Sequence, residues 1–202
     1  IDGLGLFGRE TLASRGIDFH VSDAMHQLVN QTPQWNLMVQ QGVFDVQTFN
    51  HDEQLFNAGN LVIEAVQIPH RDELSDMHAF IVRGPNKSLL FLPDHDTWEE
   101  TLAVHSVSSI REWLTQMQID IALLDGTFWS KDELGGRDQS KVPHPPVLQT
   151  LNMLGNREDG DPEVYFTHLN HTNPLYDAEG EQMKQVTSLG WKVAQQGQRF
   201  IL

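Results

Sequence analysis

Cysteine is absent from the 202 residues, and this absence excludes several kinds of site. A disulfide framework, a zinc ribbon and a cysteine nucleophile all require thiols. Long apolar runs are missing too, because none approaches the roughly 18 residues of a membrane-spanning helix. The sequence therefore predicts no membrane span, and a metal site in this chain has no thiolate ligand available.

Basic residues are scarce, since 13 Lys and Arg stand against 28 Asp and Glu and leave a formal charge of −15. Nucleic-acid binders need clustered basic side chains to neutralise phosphates, so this balance argues against a nucleic-acid partner. Apolar residues make up 39% of the chain, which is enough to bury a core. We find no internal repeat or low-complexity tract, and we interpret residues 1–202 as a single domain.

The periodicity of apolar residues predicts a mixed α/β fold. Helices are predicted after Ser22, after Pro33, around Ile110 to Met117, from Pro145 or Pro146, and over residues 179–189. A terminal hairpin is predicted between Val193–Ala194 and Phe200–Leu202. Strands are predicted over residues 17–21, 43–49, 61–68, 79–83, 88–92, 119–124 and 164–166.

Four polar side chains directly follow predicted apolar strands, namely His70, Asp94, Asp125 and His168. α/β folds place ligand-binding residues there, because a rigid sheet holds loop residues that still reach solvent. Imidazole nitrogen and carboxylate oxygen together suit zinc, manganese or iron. Taken singly, each residue is more commonly a surface, capping or turn residue. The metal-site hypothesis therefore depends on these strand ends lying side by side.

A short loop at residues 167–174, T-H-L-N-H-T-N-P, holds both His168 and His171. Its ordinary interpretation is a polar turn closed by Asn-Pro. However, few ordinary turns contain two imidazoles. We therefore treat this loop as a candidate part of a functional site.

Two sequence blocks resemble a known family. Residues 123–129, L-L-D-G-T-F-W, with Asp132-Glu133, and residues 168–174, H-L-N-H-T-N-P, are similar to the coenzyme PQQ synthesis protein B family of the metallo-β-lactamase superfamily. The last ten residues are similar as well. P-H at 69–70, L-P-D at 92–94 and T-H at 167–168 occur in the order of that superfamily's later ligand motifs. The resemblance covers most of the chain.

The resemblance implies an αββα four-layer sandwich with a metal centre at one edge of its sheets. By this similarity His70 completes a three-histidine site, Asp94 is the bridging carboxylate and His168 serves a second metal. The intact protein is then expected to hold up to two divalent ions, zinc foremost, with iron and manganese as alternatives. Candidate catalytic residues are Asp94, Asp125 and His171.

Other polar residues near these motifs receive supporting roles by the same resemblance. Residues that orient the metal-binding imidazoles are expected among Asp96, Asp125 and Asn173. Residues that support the site or face a substrate are expected among Asp125, Thr127, Trp129, His144 and His171.

The start of the chain is also interpreted through the resemblance. Ile1-Asp2-Gly3-Leu4 looks like the residues that directly follow the H-x-H-x-D-H metal motif of the superfamily. This implies that the domain is N-terminally incomplete and that the first strand layer of the family fold precedes Ile1.

Three functions remain open at this point. The first is a metal-dependent hydrolase that uses a metal-activated water on a small-molecule or peptide-derived substrate. The second is a role in the biosynthesis of the quinone cofactor PQQ through oxidative metal chemistry. The third is a non-catalytic binding module whose metal centre has decayed.

Overall fold

The computed structural model describes residues 2–50, 54–71, 73–133 and 142–202. Ile1, on which the interpretation of the chain start depends, lies outside the described residues. The strands of the described part are β1 (Ile17–Ser22), β2 (Phe44–Phe49), β3 (Gln54–Ala58), β4 (Leu61–Ile68), β5 (Met77–Arg83), β6 (Ser88–Leu92), β7 (Ile121–Asp125), β8 (Glu163–Thr167) and β9 (Lys192–Val193). The α-helices are α1 (Asp23–Gln31), α2 (Pro33–Gln40), α3 (Trp98–Val104), α4 (Ile110–Gln116), α5 (Val147–Leu154) and α6 (Glu181–Ser188).

Helix starts follow the capping residues that the sequence offers. The Ser22 hydroxyl accepts the Met25 N–H at 3.1 Å, so α1 begins where the sequence predicts. Pro33 occupies the first turn of α2, where its missing N–H costs nothing. Thr97 caps α3 in the same way, by accepting the Glu100 N–H at 3.1 Å. Helix α3 was not predicted from the sequence.

Seven strands form one sheet in the order β3-β4-β5-β6-β7-β8-β9, and β1 and β2 form a separate parallel pair. Pairing is antiparallel from β3 to β6 and parallel from β6 to β9. Strand β4 runs in the same direction as β6, because two antiparallel steps separate them. The carboxyl ends of β4, β6, β7 and β8 therefore meet at one edge of the sheet.

The main core lies on one face of this sheet, under α3 to α6. Trp98, Trp113 and Leu151 are fully buried there, against alternate residues of the strands such as Leu92 and Phe166. Because strand side chains alternate between faces, residues such as Leu89, Ile121 and Tyr165 point to the other face. Helices thus pack against one face of the sheet, and this packing fixes the position of the carboxyl ends of its strands.

The predicted terminal hairpin is wrong. β9 pairs in parallel with β8, while Phe200–Leu202, which are among the described residues, form no strand. Phe200 and Leu202 instead pack against the cluster that contains Leu89. Burial of these apolar side chains on the open sheet face outweighs the local turn signal, because the sheet offers them more apolar surface.

No helix in the described part of the chain combines the length and the apolar character that a bilayer crossing requires.

Candidate metal centre

The four strand-end residues singled out in the sequence lie together at the carboxyl edge of the large sheet. The Asp94 Oδ1 atom lies 4.0 Å from His70 Nε2 and 3.6 Å from His168 Nδ1. Asp125 is the last residue of β7, next to β8, whose end precedes His168. The pairing of the strands produces this convergence, since each side chain follows a strand that ends at the same edge.

A fifth residue, His144, joins them from the loop before α5. Its Nδ1 lies 2.7 Å from Asp125 Oδ2 and 3.6 Å from Asp94 Oδ1. Prolines flank this histidine at positions 143, 145 and 146. The Val147 N–H, which donates to the Phe128 carbonyl at 2.8 Å, fastens the start of α5 to the loop after β7. From the sequence, His144 was expected to have a supporting or substrate-facing role, whereas its ring lies among the candidate ligands.

His70 is oriented by a second carboxylate. Asp96 Oδ1 lies 2.9 Å from His70 Nδ1, so the imidazole donates its Nδ1 proton there and turns Nε2 toward Asp94. The Asp96 N–H also donates to the Pro69 carbonyl at 3.0 Å, which joins the two loops. A histidine held by a carboxylate on one nitrogen is a common arrangement around bound metals.

Thr127 lies at the centre of the other half of the site. Its hydroxyl lies 2.7 Å from Asp125 Oδ1, 2.9 Å from His168 Nδ1 and 3.2 Å from His144 Nδ1. The Thr127 N–H donates to the same Asp125 oxygen at 2.9 Å. Asp125 is 1% exposed, so these bonds and the one to His144 compensate for its burial.

Position 126 requires glycine, because the loops after β7 and β8 approach each other too closely there for a side chain. A Cβ atom at this position would lie 2.7 Å from the Thr167 carbonyl oxygen. The Gly126 N–H donates to that oxygen at 2.8 Å. This contact brings the ends of β7 and β8 together and with them Asp125 and His168.

Among the described residues, two overlapping groups of side chains have the chemistry and spacing for a metal ion. Within each group, one donor atom per residue lies within 4.8 Å of the others; the groups are His70, Asp94 and His144, and Asp125, His144 and His168. Imidazole nitrogen and carboxylate oxygen are ligands that zinc, iron and manganese accept. The residues therefore fit a divalent ion, and both groups share His144.

Electrostatics differ between the two most buried histidines near the site. Burial lowers the pKa of His144, but the hydrogen bond to Asp125 and the nearby carboxylates raise the pKa more, and the net shift is upward. Burial lowers the pKa of His95 to about 4, although the charge of Asp125 opposes this. The Nδ1 atom of His95 lies 3.0 Å from the Thr101 hydroxyl oxygen and is hydrogen-bonded to it. His95 was not predicted as a site residue from the sequence, because it does not directly follow a strand.

The remaining predicted site residues separate into supporting and peripheral positions. Asn173 is buried and donates from Nδ2 to the Gly126 carbonyl at 2.7 Å. Trp129 packs against the main core. His171 is exposed and belongs to neither of the two groups found among the described residues.

Comparison with known proteins gives the family. The model of the beta-lactamase superfamily domain matches residues 1–169. Coenzyme PQQ synthesis protein B from Acinetobacter baumannii (strain SDF) is 24% identical over 155 residues, which cover 70% of this chain and 48% of that protein. The counterpart from Azotobacter vinelandii is 31% identical over 83 residues, which cover 39% of this chain and 28% of that protein. The chain thus spans about half the length of such relatives.

Solved structures confirm the predicted fold class. Zn²⁺-bound PqqB from Methylobacterium extorquens superposes with a TM-score of 0.68 at 17% identity, covering 93% of this chain and 65% of that chain. A diphosphatase from the PhnP family superposes with a TM-score of 0.55 at 14% identity, covering 98% and 62%. With its mixed α/β sheet architecture and its family-model match, the chain belongs to the beta-lactamase superfamily domain family, has the metallo-β-lactamase fold and is similar to coenzyme PQQ synthesis protein B.

Proposed function

We propose that the chain carries ligands of a divalent-metal centre in a metal-dependent hydrolase. The observation that supports this most directly is the convergence of three imidazoles on Asp94 Oδ1. His70, His144 and His168 each bring a ring nitrogen within 4.0 Å of that oxygen. A bound divalent ion would supply hydroxide at neutral pH, by lowering the pKa of its bound water to about 7.

The ligand roles follow from the two groups. His70, Asp94 and His144 would hold one ion, while Asp125, His144 and His168 would hold another. Because both groups share His144, and His70, His144 and His168 all converge on Asp94, we expect the 202-residue chain to bind one ion that draws on ligands of both groups. The second ion of the proposed two-metal centre then requires ligands from elsewhere in the intact protein.

The chain's own residues also prepare the ligands. Asp96 holds the Nδ1 proton of His70 and leaves Nε2 available. Asp125 and Thr127 hydrogen-bond the Nδ1 atom of His144, and Thr127 hydrogen-bonds the Nδ1 atom of His168. Both nitrogens lie 3.6 Å from Asp94 Oδ1, so metal and proton compete for them. This competition predicts that metal binding releases protons.

A cavity beside the centre offers space for a substrate. It has a volume of about 440 Å³, and Asp96 and His144 of the centre lie in its wall. Thr97, Lys131 and Gln149 add polar groups. These features favour a small-molecule or peptide-derived substrate. The formal charge of −15 disfavours nucleic acid.

A second candidate is oxidative metal chemistry in the biosynthesis of PQQ. The similarity to coenzyme PQQ synthesis protein B over 155 residues favours it. Iron would replace zinc in this case, because imidazole and carboxylate ligands accept either metal.

Metal loading tests these proposals. The 202-residue chain is loaded with zinc, manganese or iron(II), dialysed and analysed for bound metal. We expect about one ion per wild-type chain and a strong loss in His70→Ala and in Asp94→Ala. His26→Ala and Asp18→Ala are the matched controls, because these residues lie on α1 and β1 and belong to neither ligand group of the described residues. A wild-type chain that retains none of the three metals would refute both metal-dependent functions and favour the binding module.

Activity then separates the two kinds of chemistry. Hydrolysis of chromogenic esters and phosphodiesters by the zinc-loaded protein, lost in Asp94→Ala, would support the hydrolase. Inert zinc-loaded protein, together with substrate-dependent oxygen uptake by iron-loaded protein, would support the oxidative function instead.

A further inference from the structure

The loops after β7 and β8 are joined by one carboxylate that belongs to neither metal group. Glu133 Oε1 accepts the hydroxyl proton of Thr172, and Glu133 Oε2 accepts the Trp129 N–H at 2.6 Å. Asn170 Nδ2 in turn donates to the Thr172 oxygen at 2.7 Å. We call Glu133, Asn170 and Thr172 the interloop brace.

The interloop brace continues into the backbone beside the site. The Asn170 N–H donates to the Thr127 carbonyl at 3.0 Å, so the loop that carries His168 is fastened to the loop that carries Thr127. Glu133 belongs to the first sequence block of the family resemblance, and Asn170 and Thr172 belong to the second. The two blocks therefore meet in space and bond to each other.

His168 needs such support. Its φ of +59° places a non-glycine residue in the left-handed region, which L side chains rarely adopt. Its side chain is 47% exposed, so packing in the core holds the ring only in part. The position of the imidazole relative to Asp125 thus depends on how firmly its loop is fastened.

We propose that the interloop brace is a positioning device that holds His168 at the correct distance from Asp125 for both to bind one ion. This inference rests on the proposed metal centre. Glu133 and Thr172 act through His168 and belong to neither ligand group of the described residues. Loss of a group that orients a metal ligand typically costs 10- to 100-fold in metal affinity.

The test uses Glu133→Ala and Thr172→Val in the 202-residue chain. Asp132→Ala is the matched control, because it removes a neighbouring exposed carboxylate that lies outside the brace. Glu133→Gln is the conservative variant, since its amide still accepts the Trp129 N–H and pairs with the Thr172 hydroxyl. Circular dichroism checks that each variant folds.

The first measurement is amide hydrogen exchange in the metal-free protein. We expect the Asn170 amide to exchange about tenfold faster in Glu133→Ala and Thr172→Val, as local opening becomes easier. Amides of β7 and the Asp132→Ala control should match the wild type. Unchanged exchange in both brace variants would overturn the inference, whatever the metal results.

The second measurement is cobalt(II) affinity. We expect a 10- to 100-fold loss in Glu133→Ala and Thr172→Val, with recovery to within about threefold of wild type in Glu133→Gln. On a His168→Ala background, Glu133→Ala should cause no further loss, because the brace acts through that imidazole. If Glu133→Ala lowers the cobalt affinity equally in the wild-type and His168→Ala backgrounds, the brace does not act through His168. If the wild type binds no cobalt, the proposed function fails, and the exchange comparison still decides whether the brace fastens the loop.

Discussion

The carboxylate that holds His70 offers the most direct test of how the centre is organised. Asp96 Oδ1 lies 2.9 Å from His70 Nδ1, and the side chains of Asp96 and His70 are only 28% and 15% exposed. A hydrogen bond to a charged group contributes about 1.5–3 kcal/mol. Since about 1.4 kcal/mol corresponds to a tenfold change in affinity, Asp96→Ala should weaken zinc binding about 10- to 100-fold.

The assay is a competition between the protein and a chromogenic chelator for zinc at pH 7. Asp96→Asn should stay within about threefold of wild type, because its amide oxygen still accepts the Nδ1 proton. Glu99→Ala is the control, as Glu99 lines the same cavity and its loss changes the charge equally. The reasoning is wrong if Asp96→Ala binds zinc like the wild type, or if Asp96→Asn is as weak as Asp96→Ala.

Three further predictions follow from contacts around the site and in the core. Gly126→Ala should destabilise the fold by about 1–3 kcal/mol in urea unfolding, because the new Cβ meets the Thr167 carbonyl oxygen 2.7 Å away; a change below about 0.5 kcal/mol would contradict this. Arg111→Met should cost about 2–3 kcal/mol at pH 7, since the guanidinium bonds both oxygens of Asp161 at 2.9 Å. The bond to Arg111 holds the pKa of Asp161 below its ordinary value, so the difference between wild type and Arg111→Met should shrink as the pH falls below about 4; a pH-independent difference would argue against the ion pair. His171→Ala should leave bound cobalt unchanged within about twofold, because His171 lies outside both ligand groups of the described residues; a large loss would make it a ligand.

Secondary structure was predictable where apolar residues alternate or run without interruption. β4 and β6 have the predicted bounds, because their side chains face a core on a regular two-residue period. β3 and α3 were not predicted. β3 pairs with β4 through an irregular register, and α3 begins directly after the polar loop that carries Asp94 and Asp96. The terminal hairpin failed because a local turn signal cannot report the apolar sheet face that Phe200 and Leu202 cover.

The candidate site could be predicted only as far as it follows strand ends. His70, Asp94, Asp125 and His168 each come directly after or at the end of an apolar strand, and this signal depends on local sequence alone. His144 gives no such signal, because it lies in a proline-rich loop before α5. The prolines on either side of His144 are the one local feature that distinguishes this histidine in the sequence.

What the sequence by itself determined, therefore, is the set of strands, the polar residues at their ends and the absence of thiol ligands. Only the tertiary structure decided that His144 joins both metal groups, that His171 lies outside them and that Glu133 fastens one loop to the other. These facts depend on contacts between segments far apart in the chain, such as Glu133 and Thr172, which are 39 residues apart. Such contacts arise when the parallel strands pair and bring their carboxyl ends to one edge.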